Sequence, residues 1–113
     1  MSARNNSRAK PRDSAAIFAA LGDETRLRLV ARLCGDGPQS ITRLTAGSKV
    51  TRQAIAKHLR VMEGAGLVCC KHQGRESVWQ LERRRLADAR RYLKMISKQW
   101  DEALGRLRRF VEE

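Results

Sequence analysis

The sequence predicts a mainly α domain with one small β-hairpin, and three observations carry that reading. Apolar residues recur at spacings of three and four in successive short segments, several of them opened by a capping residue. The period changes once, from Leu67 onward, where LVCCKH and ESVWQL flank Gln73, Gly74 and Arg75. From Glu82 to Glu113 helical spacing returns, with Gly105 the one glycine and no proline.

A chain of 113 residues suits one small domain, with a core so modest that a second copy would relieve its marginal stability. Lys and Arg number 24 against 12 for Asp and Glu, and the net charge of +12 favours a polyanionic partner. The sequence contains neither an apolar run of about 18 residues nor an apolar N-terminal stretch, so a soluble cytoplasmic protein with no membrane partner is expected. Three cysteines, two of them adjacent, do not make a disulfide framework, and reduced thiols are expected.

Residues 1–12 carry Arg4, Arg8, Lys10 and Arg12 with no acid, which predicts a disordered basic arm ahead of a folded domain over 13–113. Asp13 or Ser14 can cap a first helix through Leu21, with Ile17, Phe18 and Leu21 on its apolar side and Gly22 at its end. Asp23 can cap a second, ETRLRLVARLC, in which Leu27, Val30 and Cys34 form a stripe widened by Leu33, making Cys34 a small core residue. The segment GDGP stops it.

Ser40 can cap a short third helix around Ile41 and Leu44, closed by Gly47. Thr51 can cap a fourth, RQAIAKHLRVMEGAG, with Ile55, Leu59 and Met62 as a narrow apolar stripe. Two helices joined by a tight glycine-containing turn, the second opening on a polar and basic turn, form the helix-turn-helix pattern, and the hairpin over 67–81 follows as a wing. The last helix, 82–112, repeats Leu86, Ala89, Leu93, Ile96, Trp100, Ala103, Leu107 and Phe110 at alternating three and four, a seam sustained over more than three heptads. A helix of about 30 residues is about 45 Å long, more than a body this small can cover, so a seam between two copies is expected. The fold predicted is a winged helix-turn-helix of five helices with the hairpin between the fourth and fifth.

The stretches AALGDETRLRLVARL (19–33), VTRQAIAKHLRVMEGAGLV (50–68) and QGRESVWQL (73–81) resemble the ArsR/SmtB family of bacterial winged-helix repressors, over residues 15–112. The resemblance implies a homodimer held by its first and last helices, through Ile17, Phe18, Leu93, Ile96, Trp100, Leu107 and Phe110. It also implies a repressor bound to an imperfect inverted-repeat operator in double-stranded DNA until a signal releases it.

A recognition helix presents its N-terminal side chains to base edges while phosphate contacts fix its register. On helix 51–65, Thr51, Arg52, Gln53, Ala54, Ala56 and Lys57 lie opposite the apolar stripe. Arg52 suits guanine, Gln53 adenine, the methyls of Ala54 or Ala56 thymine, and Thr51 and Lys57 phosphates. Residues 40–75 hold Arg43, Lys49, Arg52, Lys57, Arg60, Lys71 and Arg75 against Glu63 alone. His58 matches the family's recognition-helix histidine and reads as a packing or phosphate-contact residue, and Arg75 resembles the wing arginine, suited to the minor groove.

The family's metal-sensing members resemble one another in carrying cysteines in the third helix or Asp, His and Glu in the last. Ser40 and Thr42 stand at the first place, and residues 82–113 contain no histidine. No cofactor or metal is therefore expected. Cys69 and Cys70, with His72 close by, should alternate across a strand, one inward and one outward, offering too few ligands on a face for zinc. A thiol or arsenite response through these two cysteines remains an alternative, as does a nonspecific architectural nucleic-acid binder or a coiled-coil interaction protein. An enzyme is not expected: the sequence has no glycine-rich phosphate loop, no paired carboxylates at pocket-like spacing and no recognisable nucleophile arrangement.

Overall fold

The computed structural model describes residues 11–112. In chain order the elements are α1 (Pro11–Leu21), α2 (Glu24–Asp36), β1 (Gln39–Ser40), α3 (Ile41–Thr45), α4 (Arg52–Gly64), β2 (Val68–Gln73), β3 (Glu76–Leu81) and α5 (Arg83–Glu112). Most of the basic arm expected over 1–12 lies outside the described residues. Helix α1 already runs at Pro11, so neither Asp13 nor Ser14 is its cap; the fixed φ of proline is compatible with a first helical turn.

The other caps form as expected. Asp23, Ser40 and Thr51 sit in extended backbone, and their side chains accept from the N–H of Arg26, Arg43 and Ala54 at the starts of α2, α3 and α4. Helix α4 closes on a Schellman motif: Leu67 N–H donates to the Met62 carbonyl, Gly66 N–H donates to the Glu63 carbonyl, and Gly66 takes φ +78°. That turn drops Leu67 into the core and aims the chain into the hairpin.

The inward row of α2 differs from the expected stripe. Leu29 and Leu33 are buried with Val30 against them, whereas Leu27 is 52% exposed and Cys34 faces solvent rather than the core. Apolar residues occupy opposite sides of this helix, and its packing against α1, α4 and β3 selects the Leu29–Leu33 side. Spacing alone could not choose between them.

Helix α4 turns Ile55, Leu59 and Met62 inward, as its stripe predicts. Together with Ile17, Leu44 and Leu67 they form the centre of one core that α1, α2 and the sheet surround.

The hairpin is part of a three-stranded antiparallel sheet ordered β1-β3-β2, with Gln39 opposite Trp79 and Ser40 opposite Val78. Two residues of β1 are too few to show strand alternation, so the sequence does not predict this strand. Gln73 pairs with Glu76 across a two-residue turn in which Gly74 has φ +64° and Arg75 does not, the pattern of a type II′ turn.

Helix α5 is 30 residues long and packs its first half on α1, where the Phe18 and Tyr92 rings lie 6.3 Å apart. Ala89 is buried and Leu86 partly so, but Trp100 is 64% and Phe110 78% exposed.

Candidate nucleic-acid interface

Burial of one side of α4 fixes what the other side presents. With Ile55, Leu59 and Met62 inside, Thr51, Arg52, Gln53 and Lys57 are exposed, and Ala54 and Ala56 are half-buried at the edges. Arg43 on α3 and Lys49 in the turn are exposed beside them, so the helix-turn-helix groups four of the predicted cations on its surface. Arg52 donates from Nη1 to Thr42 Oγ1 over 3.4 Å, a long bond that leaves its guanidinium available. Thr51 Oγ1 accepts from Ala54 N–H over 3.1 Å, which leaves its hydroxyl hydrogen free to donate to a phosphate.

Arg75 is exposed in the two-residue turn at the tip of the hairpin, beyond Val78 and Trp79, which are buried in the body of the domain.

His58, expected as a packing or phosphate-contact residue, lies on the margin of the buried side of α4. It is half-buried, with Nδ1 3.2 Å from Arg26 Nη1 and 3.8 Å from Asp23 Oδ2. Arginine can only donate, so this bond requires Nδ1 as the acceptor. Arg26 also donates from Nε to the Ala20 carbonyl at the end of α1. The backbone N–H of Arg26 holds the Asp23 carboxyl below its ordinary range; partial desolvation opposes this, and the charge of Arg26 adds to it. Sequence reasoning does not find this Asp23–Arg26–His58 cluster. Its one sequence signal is a histidine at helical spacing from Ile55 and Met62, on the margin of the buried stripe.

The residues expected to join two copies divide. Ile17 has no exposed surface: it is spent on the protomer's own core, and the assignment to an interface is corrected on that ground. Phe18 is half-buried against Tyr92. Leu93, Ile96, Trp100, Leu107 and Phe110 are exposed along α5.

Strand alternation separates the vicinal cysteines. Cys70 packs against the core, whereas the Cys69 thiol donates to Glu82 Oε1 over 3.3 Å. Partial burial, then that carboxylate, push the Cys69 thiol pKa up, which makes it a poorer nucleophile and metal ligand. Among the described residues no three His, Cys, Asp or Glu side chains converge as a metal site, and no helix is long and apolar enough to cross a membrane.

Residues 21–69, from the end of α1 to the start of β2, match the family model described as Helix-turn-helix domain. The chain is 44% identical over 69 residues to the uncharacterized HTH-type transcriptional regulator YuzN of Bacillus subtilis, covering 56% of this chain and 75% of that protein. It is 38% identical over 73 residues to the HTH-type transcriptional regulator Rv2034 of Mycobacterium tuberculosis, covering 65% of this chain and 67% of that protein. Among solved structures, an ArsR-like transcriptional regulator from Rhodococcus sp. RHA1 superposes with a TM-score of 0.75 at 36% identity, over 88% of this chain and 92% of that one.

Proposed function

The chain belongs to the ArsR-like winged helix-turn-helix transcriptional regulators, which bind DNA, and we propose that it acts as a homodimeric repressor seated on an inverted-repeat operator. One observation carries the reading: the first turn of α4 presents Arg52, Gln53 and Lys57 outward from a helix whose opposite side is locked in the core. In this reading α4 enters the major groove. Arg52 forks onto guanine, Gln53 pairs with adenine, and Ala54 or Ala56 touches a thymine methyl. Thr51, Lys57, Lys49 and Arg43 hold phosphates and fix the register. Arg75 at the wing tip reaches into an adjacent minor groove, where narrow A·T steps attract a guanidinium. His58 acts from behind, holding α4 against the start of α2.

The dimer reading rests on α5, whose exposed Leu93, Ile96, Trp100 and Leu107 form a seam too long for one protomer to cover. Two copies joined there present two α4 helices, and successive major grooves on one duplex face lie about 34–36 Å apart. Occupancy of a promoter by such a pair excludes polymerase. The folded domain opens with α1 at Pro11, within two residues of the boundary expected at 13, and its DNA partner makes the protein cytoplasmic.

The test is to sequence DNA retained by the protein from its own genome and compare affinity for the recovered site with a random duplex at physiological salt. An inverted repeat preferred by a factor of about 10³ or more is expected. Equal affinities would establish the architectural reading that a charge of +12 also allows.

A further inference from the structure

Helix α5 carries a charge pattern that neither its seam nor its packing explains. From Arg83 to Lys98 it holds Arg83, Arg84, Arg85, Arg90, Arg91, Lys94 and Lys98 against one acid, Asp88, which is buried and bonded to Arg91. Arg83, Arg90, Arg91 and Lys94 line a shallow groove over Leu86 and Ala87, with no carboxylate in its walls. Among the described residues Arg83, Arg90 and Lys94 have no ion-pair partner. Arg90 with Lys94, and Lys94 with Lys98, are like charges four residues apart, an arrangement that disfavours a helix unless an anion lies across it.

The placement is directional. At about 100° per residue, Arg83, Arg90, Lys94 and Lys98 fall in an arc of about 80°, centred about 130° around the helix from Leu93, Ile96, Trp100 and Leu107. The row runs for about 22 Å along the axis. It starts where β3 ends, about 20 Å from the wing tip at the other end of the hairpin.

We propose that the Arg83–Arg90–Lys94–Lys98 row is a second, sequence-independent site for the phosphate backbone of double-stranded DNA, through which a protein bound by α4 holds a second stretch of duplex. Its outward placement rests on the reading that the apolar arc of α5 faces a second copy. A duplex fits because it offers a rigid, closely spaced line of phosphates matching a straight row of cations. An anionic bilayer fits less well, because a helix lying on a membrane inserts the apolar arc that the seam occupies.

The experiment uses the full chain, a random-sequence duplex on beads and a fluorescent duplex of different length in solution. The native protein is expected to retain the fluorescent duplex on the beads. Arg83→Gln/Arg90→Gln/Lys94→Gln is expected to lose at least tenfold of that retention and to flatten the salt dependence of random-duplex binding by about three, one per cation removed. Its circular dichroism, sedimentation and preference for operator over random DNA should match the native protein's, which separates failure of this site from failure of the repressor reading. A native protein that bridges nothing overturns the proposal, as does a triple variant that bridges like the native chain. Bridging abolished by Arg52→Ala/Arg75→Ala yet untouched by the triple variant would assign it to the two α4 helices instead. Binding to phosphatidylserine vesicles without capture of a second duplex would assign the row to a membrane and overturn it equally.

Discussion

Arg26 donates from Nη1 to Nδ1 of His58 across 3.2 Å, joining the first turn of α2 to the middle of α4. The same guanidinium bonds the Ala20 carbonyl at the end of α1, and the Arg26 backbone N–H bonds Asp23. One side chain thus ties together α1, α2 and the helix that presents Arg52 and Gln53. Arg26→Ala should lower unfolding free energy by about 1–2 kcal/mol in denaturant titration, the net loss expected when half-buried hydrogen bonds are broken. It should also weaken operator binding although Arg26 is not one of the proposed DNA contacts, and Arg26→Lys should recover only part of either loss because an ammonium cannot span both acceptors in one plane. A variant of native stability and native affinity would dismiss the coupling.

The Asp23 carboxylate supplies an acid-sensitive part of the same junction. Its folded pKa is lowered, so the folded state favours the charged form more than the unfolded chain does. The stabilisation is therefore fully present above the ordinary aspartate value of about 3.9 and is lost as pH falls through the lower folded value. Thermal midpoints between pH 3 and pH 6 should fall more steeply on the acid side for the native chain than for Asp23→Asn, which starts lower and has less to lose. Parallel curves would remove Asp23 from the account of acid stability.

These two residues also show how far the sequence can be read. Asp23 is legible as a cap because a cap is local: an acceptor, then a free N–H three residues on. Thr51 and the Ile55–Leu59–Met62 stripe are legible for the same reason, and they fix which side of α4 faces out. The Arg26–His58 bond is not, because 32 positions separate its partners and only the packing of α2 on α4 brings them together. Leu29 escapes notice because α2 is apolar on two sides, and β1 because two residues carry no period. Ile17 is placed correctly on the apolar side of α1 by its spacing, but the interface role that the family resemblance implies for it fails because the protomer's own core takes all of its surface.

Arg52 and Arg75 should separate by the part of the duplex each one reaches. Arg52→Ala removes a two-pronged donor from the first turn of α4, and affinity for the operator should fall by about 1–3 kcal/mol, roughly five- to 150-fold, with base preference relaxed at one position of each half-site. Arg75→Ala should lower affinity across sequences and flatten the dependence on salt by about one. Fluorescence anisotropy against a set of singly altered operators at several salt concentrations checks both. Equal, sequence-independent weakening by the two variants would refute base reading by Arg52.

Gly66 is a position where backbone and packing both exclude a side chain. Its φ is +78°, and a Cβ there would come within 3.0 Å of Arg85 Nε. Gly66→Ala should therefore destabilise the domain by more than about 1 kcal/mol, because the residue must enter the left-handed region and displace the arginine at once. Gly74 has a similar φ of +64° with nothing within 4 Å of its Cβ position. Gly74→Ala should show the backbone penalty alone, so urea midpoints that drop equally for both would mean that Arg85 yields freely.

Trp100 tests the seam. It lies on α5 between Ile96 and Leu107 and is 64% exposed in the single chain, an unusual place to leave one of the protein's two tryptophans, the other of which is buried. Burying a Trp removes about 150–250 Å² from water, which at about 25 cal/mol per Å² is about 4–6 kcal/mol before the cost of association is subtracted. Two-fold symmetry makes each substitution count twice. Trp100→Asp should raise the dimer dissociation constant by at least about 30-fold, the threshold of about 2 kcal/mol that marks a dominant interface residue. Sedimentation should show monomer where the native chain is dimeric. The native thermal midpoint should climb with protein concentration, and that of the variant should not, since only an associating fold is stabilised by mass action. Glu102→Ala, on the opposite side of α5, should leave both measurements unchanged. A native chain that sediments as a monomer at every concentration would sink the seam, and with it the pairing of two α4 helices on one operator.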